Sequence, residues 1–356
     1  MLASLVLLPF YTEAFDPAEF GMLSLLISLT LFFYHFVNAA MDNYISVHYH
    51  FEKDNPQRLK ELIGTVLCVQ LLAGAIVLLA MIPAGQWVMD LFMGPGSSVY
   101  YWSGFMCVVT SVTTSVLRVY QNVQIQEKKP KGFFLTSLAS SGLMVLLCLL
   151  FLNADPGNID GPLAGRMLAG LLLAAYVIIR RLPIKTNVAV IKGWFSFSWP
   201  LVIMGASTWV IAYITPYILS HYVLASEVGL YSLVLSLMLG LDFFQNGLAA
   251  SMYPVIFGER VKRGDITSDE KGYHHMFSMI NLLVIGISLL VLPVLVYALV
   301  RQEEYHTALV WLPLFAVSYA WRGPFSVGYS VALYNKNTRL LMENGLIAMA
   351  IQIALI

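Results

Sequence analysis

The sequence predicts an all-α, polytopic membrane protein built as two pseudo-symmetric transmembrane helix bundles from a parallel repeat. Three observations predict it. Hydrophobic residues make up 59% of the 356 and charged residues only 11%, against roughly 25% charged in ordinary globular chains. The apolar residues fall in long continuous runs, and the basic residues alternate strictly between the connections that join those runs. Net charge is zero and no basic tail exists, so nothing reads as a nucleic-acid partner. The three cysteines, Cys68, Cys107 and Cys148, sit inside apolar runs, which excludes a disulfide framework or a Cys-rich metal site.

A bilayer span needs roughly 20 apolar residues. Eleven candidates follow in chain order. Residues 1–12 are apolar but lack the basic start and A-x-A site of a signal peptide. Residues 20–46 follow Asp16-Pro17-Ala18-Glu19, which supplies an N-cap, a proline at the first helical position and a capping-box glutamate. Next come 62–82, 99–122, 132–152 and 163–180, the last entered through Pro162. Five more complete the set: 194–219, 227–254, 273–300, 306–333 and 339–356. In 306–333 the pair Gly323-Pro324 should kink the helix. A barrel is excluded because the runs do not alternate in polarity.

Orientation follows from the basic residues. Connections after the even spans hold Lys53, Arg58 and Lys60; Lys128, Lys129 and Lys131; Arg180, Arg181, Lys185 and Lys192; Arg260, Lys262, Arg263 and Lys271; and Lys336 and Arg339. Connections after the odd spans hold Arg301 alone. Sixteen against one places the even connections, and the N-terminus, in the cytoplasm. The odd connections are short and uncharged or acidic, with Trp87, Trp102 and Trp311 near them as an outer aromatic belt.

Residues 19–38 and 227–246 are related by an offset of 208, with nine of 20 positions identical. Glu19/Glu227, Gly21/Gly229 and Asn38/Asn246 are not the matches that shared apolar composition would supply. An even number of spans separates the copies, so they point the same way, with a pseudo-two-fold axis along the membrane normal. Two bundles follow, residues 1–190 and 191–356, around a central cleft. The second copy has Leu224 where the first has Asp16, so its helix cap must differ. The same offset implies that the first span begins before Met1 and that a twelfth lies beyond Ile356.

A charge at membrane depth costs about 2.5–3.5 kcal/mol on insertion scales, so each is a candidate for function. Arg166 and Glu343 are close enough to span ends to snorkel. Arg322, Asp242, Arg118 and Asp42 are deeper, each in a polar stripe at helical spacing. The stripes are His35, Asn38, Asp42 and Ser46; Thr110, Thr114, Arg118 and Gln121; Asp242, Gln245 and Asn246; and Ser318, Arg322, Ser326 and Tyr329. For Ser and Thr the simpler account is interhelical hydrogen bonding. Arg322, Arg118, Asp242, Asp42, Asn38 and Asn246 are the candidate substrate-binding residues. An arginine offers a fork of donors suited to phosphate or carboxylate. Asp242 has three options: pairing with an arginine, carrying a proton or binding a cation. No P-loop, G-x-S-x-G or H-E-x-x-H occurs, so no enzyme, cofactor or metal is expected. His274-His275 reads as a solvated helix start and Gly94-Pro95-Gly96 as an outer turn.

The stretch Pro9 to Leu25, PFYTEAFDPAEFGMLSL, resembles the join between the first two spans of bacterial polysaccharide flippases. Its copy from Pro216 to Leu233, PYILSHYVLASEVGLYSL, resembles the start of their second half, and QEKKPKGF and WFSFSWP are also similar. Those proteins belong to the multidrug/oligosaccharidyl-lipid/polysaccharide exporter superfamily. The resemblance implies export of a lipid-linked oligosaccharide, on undecaprenyl pyrophosphate, across the bacterial inner membrane by alternating access. It implies a membrane-lipid environment, arginines that hold the pyrophosphate, and a coupling ion, H+ or Na+, as an option. The sequence departs from the pattern in having eleven spans rather than twelve or fourteen and acids among the stripes. Those acids keep open a multidrug or cation antiporter of the same superfamily. A membrane polymerase or glycosyltransferase is the third reading; it lacks support because no outer connection is long enough for a domain.

Overall fold

The capping box ahead of residue 17 forms as its residues require. Asp16 Oδ1 accepts the Glu19 N–H at 2.8 Å, and Glu19 Oε2 accepts the Asp16 N–H at 3.1 Å. In the second copy, Leu224 caps with its backbone, its carbonyl accepting the Glu227 N–H at 3.0 Å. The computed structural model describes residues 2–52, 54–93, 101–180, 185–187, 193–263, 268–321, 332 and 337–355. Among them the chain is helical throughout, with no strand.

The helices are α1 (Leu2–Ala14), α2 (Pro17–Asn38), α3 (Met41–Glu52), α4 (Pro56–Met93), α5 (Tyr101–Gln126), α6 (Pro130–Ala154) and α7 (Asp160–Arg180). Then follow α8 (Trp194–Leu219), α9 (Ala225–Arg263), α10 (Ser268–Leu299), α11 (Leu312–Ser318) and α12 (Thr338–Leu355). Two 3-10 stretches, Glu303–Trp311 and Tyr319–Trp321, flank α11. Nine of the described helices are long and apolar enough to cross a bilayer. The two expected spans that are not among them are 1–12, whose helix α1 has 13 residues, and 306–333, whose described part is broken.

The structure differs from the sequence expectation in three places. The span expected over 20–46 is two helices, parted at Ala39 and Ala40, both left-handed with φ of 48° and 54°. Helix α4 runs eleven residues beyond the expected 62–82 limit, through Pro83 and on to Met93, so most of the connection expected there is helical. A proline inside a long helix kinks it without ending it when the following residues are good helix formers. The start of span 10 is 3-10 rather than α, a form that recurs where helices are short or strained.

Large apolar side chains face outward along α4, α6 and α10, among them Leu72, Ile76 and Leu79, Leu135 and Leu138, and Leu290 and Val294. Such bands would be untenable in water and match a lipid-facing surface. Trp87, Trp102 and Trp311 are also exposed, as membrane-interface tryptophans are.

The chain divides into two compact units. The first comprises Met1–Gly21 and Leu224–Leu341; the second comprises Met22–Val223 and Met342–Ile356. In the second unit α3, α4, α5 and α7 share a core that includes Met41, Tyr44, Ile45, Leu62, Val66 and Val119. Helix α8 packs there against α2. Trp209 Nε1 donates to the Ser28 carbonyl at 2.7 Å, and the Tyr217 hydroxyl donates to the Leu25 carbonyl at 2.6 Å. In the first unit α1 packs against α9, with Leu5 beside Gly240. The two pairings are equivalent under the 208 offset. Each copy's first span lies against the other copy's second span.

The repeat is visible in the backbone itself. A Cβ on Gly21 would lie 2.9 Å from Gly229 N and 3.2 Å from the Ala225 carbonyl oxygen. A Cβ on Gly229 would lie 1.7 Å from the Pro17 carbonyl oxygen. Pro17 and Ala225 are themselves equivalent under the offset. Reciprocal contact between equivalent residues is the signature of a two-fold axis, and small residues four apart are what let two membrane helices touch backbone to backbone.

Candidate functional site

The break between α2 and α3 creates a polar centre in the second unit. Left-handed alanine costs about 1–2 kcal/mol per residue, so something must compensate. Asn38, the last residue of α2, does much of it. Its Nδ2 donates to Asp42 Oδ1 at 2.8 Å across the break. Its Oδ1 accepts from Gln70 Nε2 of α4 at 2.7 Å and from Ser115 Oγ of α5 at 3.3 Å. Asp42, in the first turn of α3, also accepts the Asn43 N–H at 2.8 Å and the Tyr34 hydroxyl at 3.3 Å. Asn122 of α5 and Ser46 of α3 both donate to the Asp42 carbonyl, at 3.3 and 2.9 Å. The start of a helix leaves N–H groups without intrahelical partners, and here the Asp42 carboxylate accepts one of them, that of Asn43.

Arg118 belongs to the same centre. It lies on α5 between Ser115 and Asn122, its side chain is exposed, and its charge acts on Tyr34. The centre therefore combines a carboxylate tied down by amides with an exposed guanidinium. His35, next to Tyr34, fits against α8 where Gly205 leaves room; a Cβ at Gly205 would lie 2.5 Å from its Nδ1.

The first unit has a counterpart on α9. Asp242 is buried there, 7% exposed. One turn on, Gln245 donates through Nε2 to Asn281 Oδ1 of α10. Asn281 Nδ2 donates to the carbonyls of Tyr319 and Ala320 at 3.1 and 3.3 Å. These amides satisfy the irregular backbone of Tyr319–Trp321, which a membrane interior tolerates only when such partners exist. In both units, then, an amide of a second span holds a neighbouring third span, Gln70 on α4 or Asn281 on α10.

Of the six sequence-predicted site residues, Asn38, Asp42 and Arg118 come together in one cluster. Asp242 stands in the other unit. Asn246 lies on α9, and its side chain is outside the described residues, as is Arg322 with Ser326 and Tyr329. The remaining stripe residues divide. Thr110 donates to the Met106 carbonyl of its own helix, and Ser318 likewise to that of Phe315. Gln121 turns to Ser137 of α6 at 3.2 Å. Sequence reasoning missed Tyr34, Gln70, Ser115, Asn122 and Asn281. Gln70 and Asn281 were detectable as lone amides inside apolar runs. Ser115 and Asn122 share a helical face with Arg118. Arg166 buries its Nε rather than simply reaching for the outer rim. Among the described residues no group of three His, Cys, Asp or Glu side chains could hold a metal.

The polar stripes of α5 and span 10 coincide under the 208 offset. Thr110 matches Ser318, Thr114 matches Arg322, Arg118 matches Ser326 and Gln121 matches Tyr329. Each copy thus carries one arginine on the equivalent span, at register positions one helical turn apart.

A family model described as polysaccharide biosynthesis protein matches residues 1–258. No curated protein sequence matches the chain. Among solved structures, similarity is found to an inward-facing multidrug resistance MATE family transporter of the MOP superfamily. Its TM-score is 0.69 at 14% identity, over 99% of this chain and 83% of the other. The MATE multidrug transporter DinF-BH, solved with a ligand, gives 0.68 at 14% identity over 99% and 82%. A MOP superfamily transporter from Pyrococcus furiosus, noted for reversed polarity of its binding pocket, gives 0.54 at 12% over 98% and 89%. At these identities the likeness is one of fold.

Proposed function

We propose a function from the premise that the chain belongs to the polysaccharide biosynthesis protein family, as a multi-pass membrane protein of transporter fold: it flips a lipid-linked oligosaccharide from the cytoplasmic to the outer leaflet of the bacterial inner membrane. Export proceeds by alternating access, with the N-terminus in the cytoplasm.

The observation that carries this reading is the exposed arginine beside the amide-held carboxylate of Asp42. A pyrophosphate head brings about two negative charges and several acceptor oxygens, which a planar guanidinium engages in pairs. Arg118 and Arg322 are the candidate sources of the positive charge. Asn38 fixes the helices around Arg118 through its bonds to Asp42, Gln70 and Ser115. Asp42 keeps an arginine from binding an anion too tightly, so that release remains feasible after the flip. The lipid tail needs no protein pocket, because the outward apolar bands leave it in the bilayer.

A second reading is favoured by one observation, the burial of Asp242. With Asp42 it gives each copy one intramembrane acid, which suits a multidrug or cation antiporter that exchanges its cargo for H+ or Na+.

Arg322 separates the readings. In cells lacking other exporters, Arg322→Ala should abolish polysaccharide export at normal protein level, and Arg322→Lys should restore it only in part, because a point charge lacks the fork. Full export by Arg322→Ala would remove the arginine from the mechanism. Rescue of either single loss by neutralising both Arg322 and Asp242 would assign the arginine to an ion pair instead.

A further inference from the structure

One connection joins the two copies of the repeat, from the end of α7 at Arg180 to the start of α8 at Trp194. Its described residues, 185–187, are seated on the first turns of α4. Gly64 provides the seat. A Cβ there would overlap the Lys185 main chain, with the carbonyl carbon and the nitrogen both at 2.9 Å. Thr65, only 3% exposed, ties the chain down. Its hydroxyl accepts the Asn187 N–H at 2.8 Å and donates to the Glu61 carbonyl, one turn back, at 2.6 Å. Glu61 holds the side chain: its Oε2 accepts from Asn187 Nδ2 at 2.8 Å, while Gln57 Nε2 donates to its Oε1 at 3.1 Å. Residues 57, 61, 64 and 65 share one face of α4. Both sides of the contact belong to one compact unit. A glycine inside a helix costs about 1 kcal/mol against alanine, and here it admits a second backbone. The other copy keeps the acid and the glycine, as Asp269 and Gly272 under the 208 offset, but has Tyr273 in place of Thr65. The hydroxyl that anchors a main chain is a property of the first copy alone.

We propose that this contact is a fixed strap: the connection between the copies stays pinned to α4 throughout transport, and its free part is residues 188–193 alone. The strap is fixed because opening it is costly on two counts. The buried Thr65 hydroxyl would lose the N–H that it accepts. The seat over Gly64 would empty, and no side chain of α4 itself can refill the close contacts made there by a main chain. The consequence is one of length. The 13 residues 181–193 would reach about 45 Å fully extended, whereas the six beyond Asn187 reach about 20 Å. The pin therefore caps how far the start of α8 can move from α4, and it does so with no covalent link. A free tether of the same sequence would set no such limit.

The test uses the full chain in inverted membrane vesicles, which present the cytoplasmic face. Endoproteinase Lys-C is added and cleavage after Lys185, inside the strap, and after Lys192, beyond it, is followed by peptide mass spectrometry. Thr65→Val combined with Asn187→Ala should raise the rate at Lys185 at least tenfold and leave the rate at Lys192 within twofold of the parent, which also shows that the fold is intact. Gly64→Leu should have the same effect. A Lys185 rate that is the same in parent and variants would overturn the strap. A second measurement asks whether the pin ever opens. With Cys68→Ser, Glu61→Cys and Asn187→Cys, a short bifunctional methanethiosulfonate reagent, reversible by thiol, bridges the contact. Export of a radiolabelled lipid-linked oligosaccharide should stay within twofold of the unbridged rate, and a tenfold fall that thiol reverses would overturn a fixed strap. This second measurement rests on the export reading above. If the parent moves no lipid-linked oligosaccharide while cleavage at Lys185 rises as stated, the substrate reading fails and the pin stands.

Discussion

Adding a single methyl group at Gly229 should be among the most damaging small changes in this protein. The ideal Cβ of Gly229→Ala falls 1.7 Å from the Pro17 carbonyl oxygen and 2.6 Å from its carbon, both backbone atoms with no freedom to rotate away. Comfortable contact between such atoms is about 3.5 Å, so α2 and α9 must part by about 1.8 Å where they cross. A gap of half that size already forfeits up to half of the attraction of each close pair. Overpacking of this kind costs about 1–3 kcal/mol, and Gly229→Ala belongs near 3 on that scale. Gly21→Ala meets its nearest atoms at 2.9, 3.1 and 3.2 Å and should cost about 1 kcal/mol. Gly142 and Gly286 have nothing within 4 Å of their ideal Cβ positions, so alanine there should be neutral or gain up to ~1 kcal/mol of helix propensity. The assay is the fraction of detergent-purified protein that stays monodisperse after a heat series. The expected order of stability is Gly142→Ala and Gly286→Ala at or above the parent, Gly21→Ala below it, and Gly229→Ala lowest. A Gly229→Ala midpoint equal to that of Gly142→Ala would refute the close crossing and, with it, the axis through Gly21 and Gly229.

Two further outcomes follow from the topology and from the polar centre. Cysteines introduced at Ser97 and Asp160 should react with impermeant maleimide in intact cells and one at Lys129 should not, so labelling at Lys129 would reverse the orientation. Asn38→Ala should destabilise by about 2 kcal/mol, because it removes the acceptor of the fully buried Gln70 amide and one of the two donors to Asp42 Oδ1; a heat midpoint at the parent value would mean that the amide does not hold the break.

The sequence carried the class of the protein and its repeat because both are written in long-range regularities: continuous apolar runs, alternating basic connections and an offset that keeps Glu, Gly and Asn in register. The capping box at Asp16 and Glu19 was legible for a different reason, being a local motif whose partners lie three residues apart. What stayed hidden is tertiary. Nothing at Ala39-Ala40 announces a left-handed break, since alanine is the strongest helix former; the break exists because Asn38 and Asp42 find partners on α4 and α5. The same holds for Asn281, whose role is to satisfy carbonyls of a span more than thirty residues away. Helix α4 overran its expected end at residue 82, continuing through Pro83 to Met93. The reciprocal packing of first and second spans was implicit in a two-fold axis, yet no spacing in one chain tells which copy a helix will lie against.

The central claim is that this chain moves a lipid-linked oligosaccharide. Purified protein in liposomes, loaded with fluorescent lipid-linked oligosaccharide in the cytoplasmic-equivalent leaflet and, in a parallel sample, with a cationic dye, tests it directly. The account predicts that the sugar headgroup reaches the opposite leaflet at a rate at least tenfold above protein-free vesicles and above Arg322→Ala, with no accumulation of dye. Dye movement driven by a proton or sodium gradient, with the lipid-linked sugar left in its original leaflet, would contradict it.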